Sequence, residues 1–165
     1  MHERRARPLV GLDGSNDMVG LPNLPDSVDF TIEGWQQLSA SAAGNNTLYG
    51  GGGTVRFMPR PAGYYLGVYL GGNEYVLQSS GASNTDAWVH WAVVRRAGSL
   101  DVYRNGIQVG SRTGLPATTP AKISGTIGRY GGVAYPTKGT IDEVAVYGTA
   151  LDAAELRAHR DIGAG

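Results

Sequence analysis

The sequence predicts an all-β chain folded as two packed antiparallel sheets, a β-sandwich closed by one short C-terminal helix. Three observations point there. Short apolar-polar alternations of roughly four to eight residues recur along the chain with the period of half-buried strands. Between them fall most of the 26 glycines and 8 prolines, at places where the chain must reverse. A single stretch near the C-terminus carries helix-start chemistry. At 165 residues the chain has the length of one domain with one core.

The elements follow in order. Residues 8–12 and 17–21 flank Asp13-Gly14-Ser15-Asn16, a run whose residue types accept left-handed or side-chain-bonded turn geometry. In residues 30–35, Phe30, Ile32 and Gly34 alternate with Thr31, Glu33 and Trp35, so the two faces of that strand meet different surroundings. The glycines at 50–53 break the chain before a strand at 54–58. A hairpin then has arms at 64–70 and 75–79 around Gly71-Gly72-Asn73, with Leu66, Val68 and Leu70 inward and Tyr65, Gly67 and Tyr69 outward. Residues 88–95 and 99–103 form the next pair, and Asn105-Gly106 fits a type I′ turn because both central positions need positive φ. Residues 123–129 and 139–147 supply the last strands. In the helix at 151–159, Asp152 is the N-cap and Glu155, three residues on, completes a capping box.

Composition excludes several functions. Fourteen Lys and Arg balance fourteen Asp and Glu, so no whole-molecule field drives the chain onto nucleic acid or an anionic membrane. Cysteine is absent, which removes disulfides, thiolate catalysis and sulfur-ligated zinc. No apolar run approaches the roughly 20 residues that span a bilayer. The start has basic residues but no apolar stretch behind them and does not read as a secretory signal. The expected organisation is a basic arm at 1–8, a sandwich domain at 9–160 and a tail at 161–165.

Three stretches carry a resemblance. They are Leu12-Asp13-Gly14-Ser15-Asn16-Asp17-Met18-Val19 with Phe30-Thr31-Ile32-Glu33-Gly34-Trp35; Trp88-Val89-His90-Trp91-Ala92-Val93-Val94 leading to Leu100-Asp101-Val102-Tyr103-Arg104-Asn105-Gly106; and Ile127-Gly128-Arg129, then Gly139-Thr140-Ile141-Asp142-Glu143-Val144-Ala145-Val146-Tyr147 and Ala150-Leu151-Asp152-Ala153-Ala154-Glu155-Leu156. In this order they resemble the laminin G-like, concanavalin A-like jelly-roll lectin family. The resemblance implies a two-sheet antiparallel jelly-roll sandwich whose relatives recognise glycans, proteins or surfaces, some with a structural calcium ion. Residues 40–60 carry no signature of the family.

Hard oxygen donors suited to one structural calcium stand at Asp13, Asn16 and Asp17 and at Asp142. The resemblance implies that the early turn and the late strand lie close, which makes Asp13, Asn16 and Asp142 the expected metal ligands. In the competing reading Asp13 and Asn16 bond only their own turn backbone. Tyr65, Tyr69 and Trp35 are the expected ligand-binding residues, a platform on which sugar rings stack, against the alternative that they are packing or interface partners.

Retaining glycosidases need two carboxyls about 5 Å apart. Adjacent Asp142 and Glu143 are expected on opposite faces of their strand, and no Ser-centred nucleophile or phosphate-loop motif appears. His90 reads as a hydrogen-bonded structural residue. The expectation is therefore no enzyme. The leading reading is a surface component of a phage virion (capsid decoration, head fibre or tail), with Arg4, Arg5 and Arg7 contacting assembly proteins, a glycan or host surface at the free end, and homo-oligomerisation in its scope. The rival reading is an extracellular carbohydrate-binding module of a larger secreted protein.

Overall fold

A computed structural model describes residues 10–51, 54–131 and 134–164. The expected arm contacts of Arg4, Arg5 and Arg7 lie outside these residues. Two six-stranded antiparallel sheets face each other. Sheet one runs β1 (Val10–Asp13), β12 (Lys138–Tyr147), β3 (Phe30–Leu38), β8 (Val89–Arg96), β9 (Ser99–Arg104), β10 (Ile107–Arg112). Sheet two runs β2 (Val19–Gly20), β11 (Thr126–Ile127), β4 (Tyr49–Gly50), β5 (Val55–Pro59), β6 (Ala62–Leu70), β7 (Asn73–Ser83). Among the described residues there is one helix, α1 (Ala153–Gly163), which follows β12.

Alternation decides what each strand buries. Phe30 and Ile32 of β3, Val89, Trp91 and Val93 of β8, and Leu100 and Val102 of β9 point inward and meet Phe57, Leu66, Val68 and Leu70 from sheet two. Trp91 packs edge-on against Phe57 at 5.5 Å and Tyr64 at 5.8 Å between ring centroids, which locks the middle of the sandwich. Asn105 and Gly106 have φ of 51° and 76°, the geometry of a type I′ turn between β9 and β10.

Helix α1 begins on the expected capping box: Asp152 accepts the N–H groups of Ala154 at 2.7 Å and Glu155 at 2.9 Å, and Glu155 returns a bond to the Asp152 N–H at 2.7 Å. Leu156, fully buried, seats the helix on Ala92 and Val94, the outward residues of β8. Thus α1 covers part of the outer face of sheet one. On the outer face of sheet two, no helix or further strand packs among the described residues.

Several bounds differ from expectation, among them the arms of the second hairpin, which run Ala62–Leu70 and Asn73–Ser83 rather than 64–70 and 75–79. The strand expected at 123–129 is reduced to Thr126–Ile127, because Gly125 and the positive φ of Gly128 (85°) interrupt it. The helix runs to Gly163 rather than 159, since nothing before that glycine stops it. In β12 the register shifts between Asp142 and Ala145 at a bulge where Glu143 has φ 49°.

Candidate functional site

The outer face of sheet two is organised by one row of directly opposed residues crossing all six strands: Gly20, Thr126, Gly50, Arg56, Gly67 and Val76. Opposed residues share a face. Three of the six are glycines, so Arg56 stands in a shallow trough. A Cβ on Gly50 would lie 3.1 Å from the Tyr130 ring, and one on Gly67 would run into the Glu74 carboxylate and lie 3.0 Å from Arg56 Nε. The glycines are therefore what lets the arginine and its neighbours lie flat on the sheet.

Around this arginine the sequence gathers aromatic rings. Tyr65 and Tyr69 flank Gly67 on β6, outward as alternation requires. The Arg56 guanidinium carbon lies 5.1 Å from the Tyr65 ring centre, 5.6 Å from that of Tyr69 and 5.5 Å from that of Tyr130. Arg56 Nε donates to Glu74 at 2.8 Å and Nη2 pairs with the same oxygen; Tyr65 donates its hydroxyl to Glu74 at 2.9 Å. Arg60 stacks 5.6 Å from Tyr65 and donates to Asn45 at 2.7 Å. Tyr135, 43% exposed, lies 6.2 Å from Tyr130 and extends the aromatic patch.

Electrostatics keep the central pair charged. Burial pushes the Glu74 carboxyl up, but the bonds from Arg56 and Tyr65 outweigh it and hold it below its ordinary value. Burial likewise pushes Arg56 down and is outweighed by Glu74 and Tyr65, so the guanidinium is held more firmly than usual. The result is a fixed array of donors and acceptors bordered by ring faces. That combination matches a sugar, which presents apolar C–H faces and polar hydroxyl edges.

Trp35, expected on the same platform, lies instead on the outer face of sheet one, opposite Asp142 on one side and His90 on the other. Its ring packs 5.2 Å from that of His90, and its Nε1 closely approaches Gly163 at the end of α1. Strand alternation gives a face but not the sheet to which it belongs. Arg56, Glu74, Tyr130 and Tyr135 were not foreseen as site residues; the outward phase of Arg56 in residues 54–58 was the one local signal available.

The outer face of sheet one holds a different arrangement. A pocket of about 340 Å³ opens between α1 and the sheet, lined by Glu33, Trp35, His90, Glu143, Tyr147 and His159 among others. Glu33, nearly fully buried, accepts from the Tyr147 hydroxyl at 2.9 Å and meets His159 Nδ1 at 2.8 Å, with His90 Nε2 at 3.4 Å from its second oxygen. Burial pushes the Glu33 carboxyl up, yet the bonds from His90, Tyr147 and His159 prevail and hold it below its ordinary value. Burial and Glu33 together push the Tyr147 hydroxyl up to about 12.

The expectation that Asp142 and Glu143 face opposite ways is corrected by the bulge. Asp142 is paired with outward Trp35, and Glu143, in left-handed geometry, lines the pocket on that same outer face.

The expected calcium ligands are not brought together. Asp13 pairs with Lys138, four residues before Asp142 on β12, a separation of about 13 Å along a strand. The Asp13 carboxylate accepts the Ser15 N–H at 2.7 Å, Asp142 accepts the Glu143 N–H at 2.8 Å, and Asn16 is exposed. Among the described residues no three of His, Cys, Asp or Glu are arranged to hold an ion. These residues do not fit one shared calcium.

Comparison with solved structures returns the same sandwich. The chain superposes on the binding domain of Paraclostridial Mosquitocidal Protein 1 with a TM-score of 0.67 and 13% identity, covering 94% of this chain and 47% of that one. It thus spans less than half of that domain. It is similar to the CBM40 of the Ruminococcus gnavus IT-sialidase, bound to α2,3-sialyllactose (TM-score 0.68, 16% identity, 92% and 97% covered). It is also similar to domain 4 of a GH43 extracellular arabinanase from Geobacillus stearothermophilus, in complex with arabinotriose (TM-score 0.66, 23% identity, 86% and 71% covered). At these identities the likeness carries the fold alone. No curated protein matches the chain by sequence at a significant level. The laminin G group described as the concanavalin A-like lectin/glucanases superfamily matches residues 13–157, and with most of its length so matched the chain belongs to that superfamily.

Proposed function

We propose that this chain is a non-catalytic carbohydrate-binding module whose ligand lies on the outer face of sheet two. The observation that carries the reading is the trough of Gly50 and Gly67 in which the Arg56–Glu74 pair is ringed by Tyr65, Tyr69 and Tyr130. Rings supply stacking surface, and the ion pair supplies directional hydrogen bonds to hydroxyls. The sugar-bound modules among the similar folds support the choice of a glycan over other ligands.

The reading as a virion component rests on residues 1–8, outside the described part of the chain, and none of the three structures named above is a virion protein. No observation favours it over the glycan module.

The test is a broad glycan array probed with the native chain, Tyr65→Ala and Tyr69→Ala. The native chain is expected to retain a defined set of glycans, and each variant to bind them about tenfold or more weakly, corresponding to ~1.4 kcal/mol or more. Retention of no glycan, or variants that bind like the native chain, overturns the reading.

A further inference from the structure

We infer that the tyrosine trough grips a glycan through at least two of its sugar residues at once, with Tyr135 completing a second stacking platform on the far side of Arg56. The inference rests on the glycan reading and adds to it the class of ligand: an oligosaccharide recognised across a glycosidic linkage, not a single terminal sugar.

Strand register sets two platforms on opposite sides of the arginine. Arg56 of β5 pairs with Gly50 of β4 on one side and with Gly67 of β6 on the other. Tyr65 and Tyr69 flank Gly67, whereas the Tyr130 ring lies over Gly50, 3.1 Å from where a Cβ would stand. Two inter-strand steps separate β4 from β6, about 10 Å. One sugar ring is too small to lie on both platforms. The Arg56 guanidinium stands between them, 5.1 Å from the Tyr65 ring centre and 5.5 Å from that of Tyr130. Its Nη1 takes no part in the bonds to Glu74 and Tyr65, which leaves it to donate to a hydroxyl at the junction of two sugars.

Tyr135 widens the second platform. Its ring centre lies 6.2 Å from that of Tyr130, and the residue is 43% exposed. Its backbone is left-handed, φ 49°, directly before Pro136, a conformation that a bulky residue adopts only at a cost. A ring so exposed offsets little of that cost by its own burial. The surroundings impose it instead: the Tyr135 carbonyl accepts the Thr47 N–H at 3.2 Å and the Thr47 hydroxyl at 2.7 Å, and Thr47 is fully buried. Tyr130 and Ala134 exchange backbone bonds of 2.8 and 3.2 Å and close the loop. Two rings are thus fixed side by side at the end of the trough before any ligand arrives. Stacking surface set in advance loses little freedom on binding.

The experiment titrates the full chain calorimetrically with the glycan best retained on the array and with the methyl glycoside of each of its constituent sugars. The glycan is expected to bind about tenfold or more tightly than any of the monosaccharides. Tyr135→Gly removes the ring and suits the left-handed backbone, so thermal melting should show it folded, while its affinity for the glycan falls about tenfold. Tyr135→Phe keeps the ring face and is expected to restore that affinity. A monosaccharide that binds as tightly as the glycan, Tyr135→Gly binding the glycan like the native chain, or Tyr135→Phe as weak as Tyr135→Gly overturns this inference. If Tyr65→Ala still loses the glycan in those cases, the trough reading stands without it; a chain that binds no glycan overturns both.

Discussion

Glu33 shows how a single residue ties the terminal helix to the sheet. Its carboxylate joins β3 to His159 on α1, Tyr147 on β12 and His90 on β8, with almost no exposure to water. Because the folded chain holds its pKa below the ordinary 4.5, the contribution to stability is present above that value and is lost as pH falls through the lowered folded value. Native chain and Glu33→Gln, compared by thermal unfolding from pH 7 to pH 3, are expected to differ by about 1–3 kcal/mol at neutral pH. The gap should narrow in the acid range. Parallel curves across the whole range would contradict this role. Alternation showed that Glu33 and Trp35 point away from Phe30 and Ile32, but their partners come from distant strands and a helix, which no local pattern names. The outward facing of Tyr65 and Tyr69 was legible for the same reason that Trp35 was assigned to their platform: period two reads a face, and only the register reads which sheet.

At the scale of elements, turn and cap chemistry was the most legible part of the chain. Asn105-Gly106 and the Asp152–Glu155 box depend on contacts within four residues and appear as expected. The bulge in β12 was not legible, because it is made where β12 meets β3 and Val144 packs over Gly34; its Cγ2 would lie 2.9 Å from a Cβ there. Residues 123–129 failed as a full strand because glycine interrupts the ladder. Strand β6 offers a direct test of the trough. Alanine is ordinarily better than glycine inside a strand by ~0.5–1 kcal/mol, but a Cβ at Gly67 collides with the Glu74 carboxylate and crowds Arg56. Gly67→Ala is expected to fold with stability within about 1 kcal/mol of the native chain, since a flexible side-chain end can yield. Glycan retention should fall about tenfold. Measured by melting and by affinity electrophoresis, unchanged retention would show that the Arg56–Glu74 geometry is not part of the site.

For the whole molecule, the two-sheet architecture was readable from period, turns and composition, and strand order was not. β1 pairs with β12, joining the first and last strands at one edge of sheet one, and β11 inserts between β2 and β4. At this scale the expected calcium ligands Asp13 and Asp142 are set apart: the early turn does meet the late strand, but at Lys138 rather than Asp142. The same long-range register that separates those aspartates assembles Arg56, Gly50, Gly67 and Thr126 into one row. The sandwich thus presents two unlike outer faces, one open and lined with tyrosine, the other overlaid by α1 around a buried carboxylate. The most direct measurement is a chemical-shift map of the isotope-labelled chain titrated with the best glycan from the array. The account predicts saturable shifts concentrated on β5, β6 and residues 126–131, including Arg56, Gly67 and Tyr69, with α1 and β8 unmoved. Shifts centred on the α1 face or on the loops at either end of the sandwich, with the tyrosine trough silent, would contradict it.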